Sequence, residues 1–178
     1  MTGRPVIYFD MDGVLVHYDE THPKNAIMAP GGHYFLACAP DPRAIALWER
    51  LQRHPGMETA VLTRLFRGLP AALKQEQATD KLDWCRKNLD ARPCALRFLC
   101  TDGSKREFLE DVLEGERRLH VLLDDDPAVL TDWENAGGTG IQYLQPARHV
   151  RPCWPRRIDP YMPIDDAARL LSVVIRNT

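Results

Sequence analysis

Residues 6 to 16 read Val6-Ile7-Tyr8-Phe9-Asp10-Met11-Asp12-Gly13-Val14-Leu15-Val16. Four apolar residues run into two aspartates one residue apart, followed by a glycine. A short apolar run of this kind fits a strand buried on both faces of a parallel sheet. Asp10 and Asp12 then stand where a strand of an open α/β sheet delivers its last side chains, the edge at which such sheets bind ligands. Gly13 supplies a backbone conformation that other residues resist. A pair of solvated aspartates in a turn is the competing reading, because Asp and Gly are common there. The rest of the chain bears on the choice.

Downstream of this strand, strand-like and helix-like segments alternate. Residues 17 to 41 are irregular and rich in His, Pro and Gly. Asp41-Pro42 opens a helix, with Asp as N-cap and Pro at the first helical position, and its inward face reads as Ile45, Trp48 and Leu51. Thr59 to Leu62 is a second strand. A loop follows with Arg64, Phe66, Arg67, Gly68 and Pro70, and then a helix through Leu73, Leu82, Trp84, Cys85 and Leu89. Ala95 to Cys100 is a third strand. Ser104 and Glu107 form a capping box at the start of the next helix, which Gly115 closes. Leu119 to Leu123 is a fourth strand, Asp126-Pro127 opens another helix, and Gly137-Gly138 ends it. Ile141 to Leu144 is a fifth strand. A proline-rich connection over 146–163 carries Arg148, Arg151, Arg156 and Arg157, and a last helix spans Asp165 to Arg176. Repeated βα units predict an α/β fold, a Rossmann-like, doubly wound parallel sheet.

At 178 residues the chain has room for one domain and a small insertion. With 44% hydrophobic and 27% charged residues it has an ordinary globular composition, and a net charge of -2 gives no general attraction for nucleic acid or an acidic membrane. Five cysteines without a Cys-x-x-Cys favour reduced thiols in a cytoplasmic setting over a disulfide framework, and argue against a zinc site. The N-terminus enters a strand directly, so no secretory leader is expected. No apolar stretch approaches the roughly 18 to 20 residues of a membrane span.

The polar residues just past each strand carry the chemistry. Strand one ends in Asp10 and Asp12, strand two in Thr63-Arg64, and strand four in Asp124-Asp125-Asp126, while strand three precedes Thr101, Asp102 and Lys105. In a parallel sheet these ends share one edge. Carboxylates gathered there repel one another unless a proton or a cation intervenes. Oxygen ligands of high charge suit Mg²⁺, and a cation beside a lysine and a helix N-terminus suits phosphate. An aspartate can also serve as a covalent nucleophile.

This set resembles the haloacid dehalogenase-like hydrolase superfamily over most of residues 5 to 145. The first motif, Asp-x-Asp-Gly after a hydrophobic lead, matches Asp10 to Gly13. The second, a Thr or Ser closing a strand, matches Thr63. The third, a lysine before strand four, matches Lys105, and the fourth, an acidic pair, matches Asp124 and Asp125. The resemblance implies a phosphomonoester hydrolase in which Asp10 attacks phosphorus and Asp12 donates and then removes a proton. It implies Mg²⁺ on the Asp10 carboxylate, the Asp12 backbone carbonyl and Asp124 or Asp125, with Thr63 and Lys105 on the phosphoryl oxygens. Lys105 reads alternatively as a solvated first-turn residue. Lys81 and Lys87 are set aside, since both fall inside the helix before strand three. Asp126 reads as a helix cap.

The resemblance further implies a core of residues 1–16 and 55–178, and a small cap in 17–54 together with the helix leading back into the core. The closer likeness is to the 5'-nucleotidase and 5'(3')-deoxyribonucleotidase branch, through Gly32-His33-Tyr34-Phe35 before Asp41-Pro42, Asp80-Lys81-Leu82-Asp83-Trp84, and Leu122-Leu123-Asp124-Asp125. Asp126 stands where that branch often has arginine. A small phosphorylated substrate is expected, such as a nucleoside 5'-monophosphate. Tyr34, Phe35 and Tyr18 are candidates to stack on its base, with core packing the alternative for Phe35. Arg64 is a candidate phosphate ligand, and Arg64 and Arg67 could meet a second anionic group or form a solvated loop. A membrane partner is not expected, nor is nucleic acid. Two other readings remain open: a phosphotransferase or mutase of the same superfamily, and a silent module that kept the fold.

Overall fold

The structure is a computed structural model that describes residues 3–17, 31–89, 96–115, 118–146 and 152–177. Tyr18, Arg148 and Arg151 lie outside the described residues.

Val6–Phe9 forms β1, and all four of its residues are fully buried. Complete burial on alternating faces marks a central strand. Ile7 and Phe9 enter one core cluster while Val6 and Tyr8 enter the other, the period-2 alternation of a pleated strand. The next elements are a short helix α1 (Tyr34–Ala37), α2 (Pro42–Gln52), β2 (Glu58–Arg64), α3 (Ala71–Asn88) and β3 (Phe98–Thr101). They are followed by α4 (Lys105–Leu113), β4 (His120–Asp124), α5 (Pro127–Asn135), β5 (Thr139–Tyr143), β6 (Arg157–Ile158) and α6 (Ile164–Asn177).

The six strands form one sheet in the order β3-β2-β1-β4-β5-β6, every pairing parallel. The chain moves outward from β1 to β3, returns to β4 on the other side of β1, and moves outward again. The order therefore reverses between β1 and β4, which opens a crevice beyond their C-terminal ends. Helices α2, α3 and α6 pack Trp48, Trp84 and Leu171 against one face of the sheet. Helices α4 and α5 pack Leu109, Leu130 and Trp133 against the other.

Helix starts follow local chemistry. The Asp41 carboxylate accepts from the Arg43 and Ala44 backbone N–H groups at 2.9 and 3.0 Å, with Pro42 in the first turn. Asp126 accepts from Ala128 N–H at 2.9 Å and so caps α5, as expected. Each such cap stabilises its helix by about 0.5–2 kcal/mol. In α2 the buried residues are Ala44, Leu47, Trp48 and Leu51, the i, i+3, i+4, i+7 stripe of an amphipathic helix. Ile45, expected on that face, is only half-buried.

Several element boundaries shift by one to three residues from expectation. Strand β2 runs on through Thr63 and Arg64, and β3 spans Phe98–Thr101 because its ladder pairs Thr63 with Cys100 and Arg64 with Thr101. The sixth strand was not expected. Arg157 and Ile158 pair with Gln142 and Tyr143 from within a proline-rich stretch, and two residues are too few to show a period.

Candidate active site

Asp10 follows β1 directly, and its backbone N–H donates to Leu123 O at 2.9 Å, which fixes it against the end of β4. The chain then turns sharply. Gly13 has φ 85°, a conformation open to glycine and strained for other residues. Val14 and Val16 donate their N–H groups to Met11 O, closing the turn. Beside Asp10 stand Asp124, the last residue of β4, and Asp125. One carboxylate oxygen from each of the three lies within 4.8 Å of the others, and all three residues are buried.

Lys105 is the first residue of α4, placed by the capping box. Ser104 Oγ accepts from Glu107 N–H at 3.1 Å, and Glu107 Oε2 accepts from Ser104 N–H at 2.7 Å. From there its buried Nζ reaches Asp10 Oδ1 and Asp124 Oδ2, each at 2.6 Å. Burial lowers the Lys105 pKa, but the two carboxylates outweigh it and hold the ammonium above its ordinary value. Burial raises the Asp124 pKa and the nearby Asp10 charge adds to the rise, while Lys105 opposes it. Carboxylates gathered this closely repel one another, and a divalent cation among them relieves that repulsion. An all-oxygen carboxylate set suits Mg²⁺ better than a soft metal.

Asp12 is arranged differently. Its carboxylate lies outside this trio, and its Oδ2 accepts from Lys81 Nζ at 2.6 Å. Lys81 also donates to Thr63 Oγ1 at 2.7 Å and to Arg64 O at 3.0 Å, so each of its three donors has a partner. It is fully buried, and its ammonium stands 4.3 Å from the centre of the Phe35 ring.

These groups face a cavity of about 430 Å³. Asp10, Asp12, Lys105, Asp124, Asp125 and Asp126 line one part of it, and Arg64, Leu65, Phe66, Arg67 and Val129 line the rest. A second hollow, of about 400 Å³, lies between α2 and α6. There Arg50 pairs with Asp165 and Arg169 with Asp166, so its charges balance locally and nothing in it resembles the buried acidic trio.

No protein-family model and no curated protein matches the chain. Similar solved structures exist at low identity. D,D-heptose 1,7-bisphosphate phosphatase from B. bronchiseptica, complexed with magnesium and phosphate, is 12% identical with a TM-score of 0.56, over 95% of this chain and 98% of that one. The haloacid dehalogenase-like hydrolase from Streptococcus pneumoniae is 12% identical with a TM-score of 0.52, over the full length of both. The Legionella pneumophila effector Ceg4 is 11% identical with a TM-score of 0.57, over 94% of each chain. The fold is that of the haloacid dehalogenase-like hydrolases.

On this haloacid dehalogenase-like fold, Asp10, Asp12, Lys105, Asp124 and Asp125 come together at the crevice, and Arg64 and Arg67 line it. Thr63 is fully buried behind it, with its hydroxyl held by Lys81. Three readings need correction. Lys81, set aside for lying within a helix, is part of the constellation, whereas Lys87 on the same helix is exposed. Phe35 is 1% exposed and sits in the core, its ring 6.3 Å from that of Phe66, so it offers no stacking face to a ligand. Tyr34 is half-buried, packs edge-on against Phe35 and is absent from the cavity lining. The aromatic that faces the cavity is Phe66.

His33, Glu76 and Asp80 also converge. Their atoms are already engaged: His33 Nδ1 bonds Asp80 Oδ1 at 3.0 Å, and Glu76 Oε1 accepts from Gly31 N–H at 2.9 Å.

Proposed function

We propose that this protein is a Mg²⁺-dependent phosphomonoester hydrolase that works through an aspartyl-phosphate on Asp10. The observation that carries the reading is Lys105 Nζ held at 2.6 Å by both Asp10 and Asp124 within a buried acidic trio at the sheet's switch point. Asp10, Asp124 and Asp125 would hold the metal, with the Asp12 backbone carbonyl as a further ligand. Bound there, Mg²⁺ would neutralise the acidic cluster and withdraw charge from the phosphoryl oxygens.

The chain's own residues supply the rest. Asp10 is anchored on its strand and aimed into the crevice, where its carboxylate would attack phosphorus. Lys105 orients that carboxylate and adds positive charge where the transition state gathers negative charge. Asp12, whose side chain is 29% exposed, is the proton carrier: it gives a proton to the departing oxygen, then takes one from the water that hydrolyses the intermediate. Lys81 holds Asp12 and Thr63 in register. Lys105, which lines the cavity, is the proposed contact of the phosphoryl oxygens, and Thr63, buried behind it, acts as a positioning residue.

The substrate is a small phosphate ester, with a nucleoside 5'-monophosphate as the first class to try. A cavity of about 430 Å³ is within the usual range for small-molecule sites. Phe66, in place of Tyr34 or Phe35, is the face on which a base would stack. Segment 17–54 is proposed as the small cap with its returning helix. Support comes from α1, which packs on α3, and from α2, whose apolar stripe belongs to the main core. The set of cysteines without Cys-x-x-Cys favours a cytoplasmic protein.

The test is phosphate release from a panel of monophosphates, with and without Mg²⁺, by the wild type and Asp10→Asn. Hydrolysis that needs the metal and is lost in Asp10→Asn is expected. Metal-independent hydrolysis, or hydrolysis that survives in Asp10→Asn, contradicts the proposal.

A further inference from the structure

We propose that Arg64 and Arg67 form a subsite for a second anionic group on the substrate, so that doubly anionic phosphate esters are preferred over simple monoesters. The inference rests on the phosphatase reading above and adds to it the substrate's charge class.

Two observations carry it. The first is that these guanidiniums are available. Most arginines in the fold hold a partner: Arg4 and Arg118 pair with Glu58, Arg106 with Glu110, Arg156 with Glu134, and Arg43 donates to the backbone oxygens of Asp159 and Met162. Among the described residues, neither Arg64 nor Arg67 has an ion pair or a side-chain hydrogen bond, although both line the cavity. Neighbouring acids are already committed. Asp102 pairs with Lys74 at 2.6 Å, and Glu107, which feels the Arg67 charge, accepts from Ser104 N–H.

The second is that the segment presenting them is built. Leu65 N–H donates to Thr101 O at 3.0 Å, and Phe66 N–H donates to Gln77 Oε1 at 3.3 Å, both between the two arginines. Leu69 is buried just beyond. The backbone is therefore fixed before a ligand arrives, which reduces the ordering cost of binding. Two unpaired guanidiniums three residues apart, lining the same cavity as the acidic trio, offer charge for an anion on the ester besides the transferred phosphoryl group. Guanidinium suits both phosphate and carboxylate through paired N–H···O bonds.

The experiment measures kcat/KM with Mg²⁺ on two matched pairs. Adenosine 5'-monophosphate against adenosine 3',5'-bisphosphate tests a second phosphate, and glycerol 3-phosphate against 3-phosphoglycerate tests a carboxylate. The doubly anionic member of at least one pair is expected to lead by about 10-fold or more, as one to two charge-assisted contacts allow. Arg67→Gln, and more fully Arg64→Gln with Arg67→Gln, should bring that ratio toward one, while Arg67→Lys should keep most of it. Ratios near one in both pairs, or a ratio unmoved by the double substitution, overturn the subsite. If none of the four compounds is hydrolysed, the phosphatase reading fails and the subsite is judged by calorimetric binding of the same compounds to Asp10→Asn. A 10-fold preference there that the double substitution removes supports it, and equal or undetectable binding overturns it.

Discussion

Lys81 Nζ lies 2.6 Å from Asp12 Oδ2 and 2.7 Å from Thr63 Oγ1. One buried ammonium from the middle of α3 thus ties the loop after β1 to the end of β2. Asp12 follows β1 and Thr63 belongs to β2, and their relative placement depends on this third element. Lys81→Met should therefore lower kcat by about 10²–10³-fold, the scale of losing one positioned donor, with KM changing less. Lys87→Met, an exposed change nearly two turns further along α3, serves as the control and should leave both constants unchanged. Equal losses in the two variants would show that α3 matters only as structure.

Lys105 has two buried acidic partners, so removing it exposes their repulsion. Lys105→Met should destabilise the metal-free protein by about 3–5 kcal/mol, the usual result of stripping the cation from a buried pair. Adding Asp10→Asn should restore part of that loss, because one of the stranded charges goes too. Urea unfolding without Mg²⁺ measures both. A single variant as stable as the wild type would mean that the trio is hydrated in solution.

His33 links the α1 region to α3 through Asp80. The hydrogen bond and then the charge of Asp80 raise the His33 pKa above its ordinary 6.5, and Glu76 adds to the rise. A raised value means that the protonated form favours the folded state. The contribution is complete below about pH 6.5 and is lost as pH rises through the folded value. Proton NMR of the imidazole should give a titration above the ordinary value in the wild type and a fall toward it in Asp80→Asn. Identical midpoints would contradict the pairing.

The thiols should separate by burial. Burial pushes Cys85 up to about 12 and Cys100 up to about 11, so neither offers thiolate near neutral pH. Cys153 is exposed. A maleimide at neutral pH should modify Cys153 quickly and leave Cys85 and Cys100 intact until urea is added. Rapid native labelling of Cys85 would show that α3 opens from the sheet.

Much of this site could be read from the chain because its parts sit at strand ends. Asp10 and Asp124 directly follow apolar runs, with Asp12 and Asp125 just beyond them, and in a parallel sheet that position alone puts them on one edge. Lys105 was legible through its capping box, which locates a helix start to the residue. Lys81 was harder, because it reaches the site from a helix interior. A signal was nevertheless present: Lys81 precedes Trp84 and Cys85 by three and four residues, the spacing of one helix face, and a lysine on that inward stripe needs a buried acceptor. Phe35 and Phe66 could not be told apart as core or cavity residues, since an aromatic in a loop carries no period that reveals its exposure. β6 was missed because its hydrogen bonds come from Gln142 and Leu144 N–H, long-range partners that no local pattern reports.

The most direct measurement is peptide mapping of protein quenched in acid during turnover of a monophosphate with Mg²⁺. The account predicts a phosphoryl adduct on Asp10 that is absent from Asp10→Asn. Sustained phosphate release with no adduct, or with the adduct on any other residue, would contradict it.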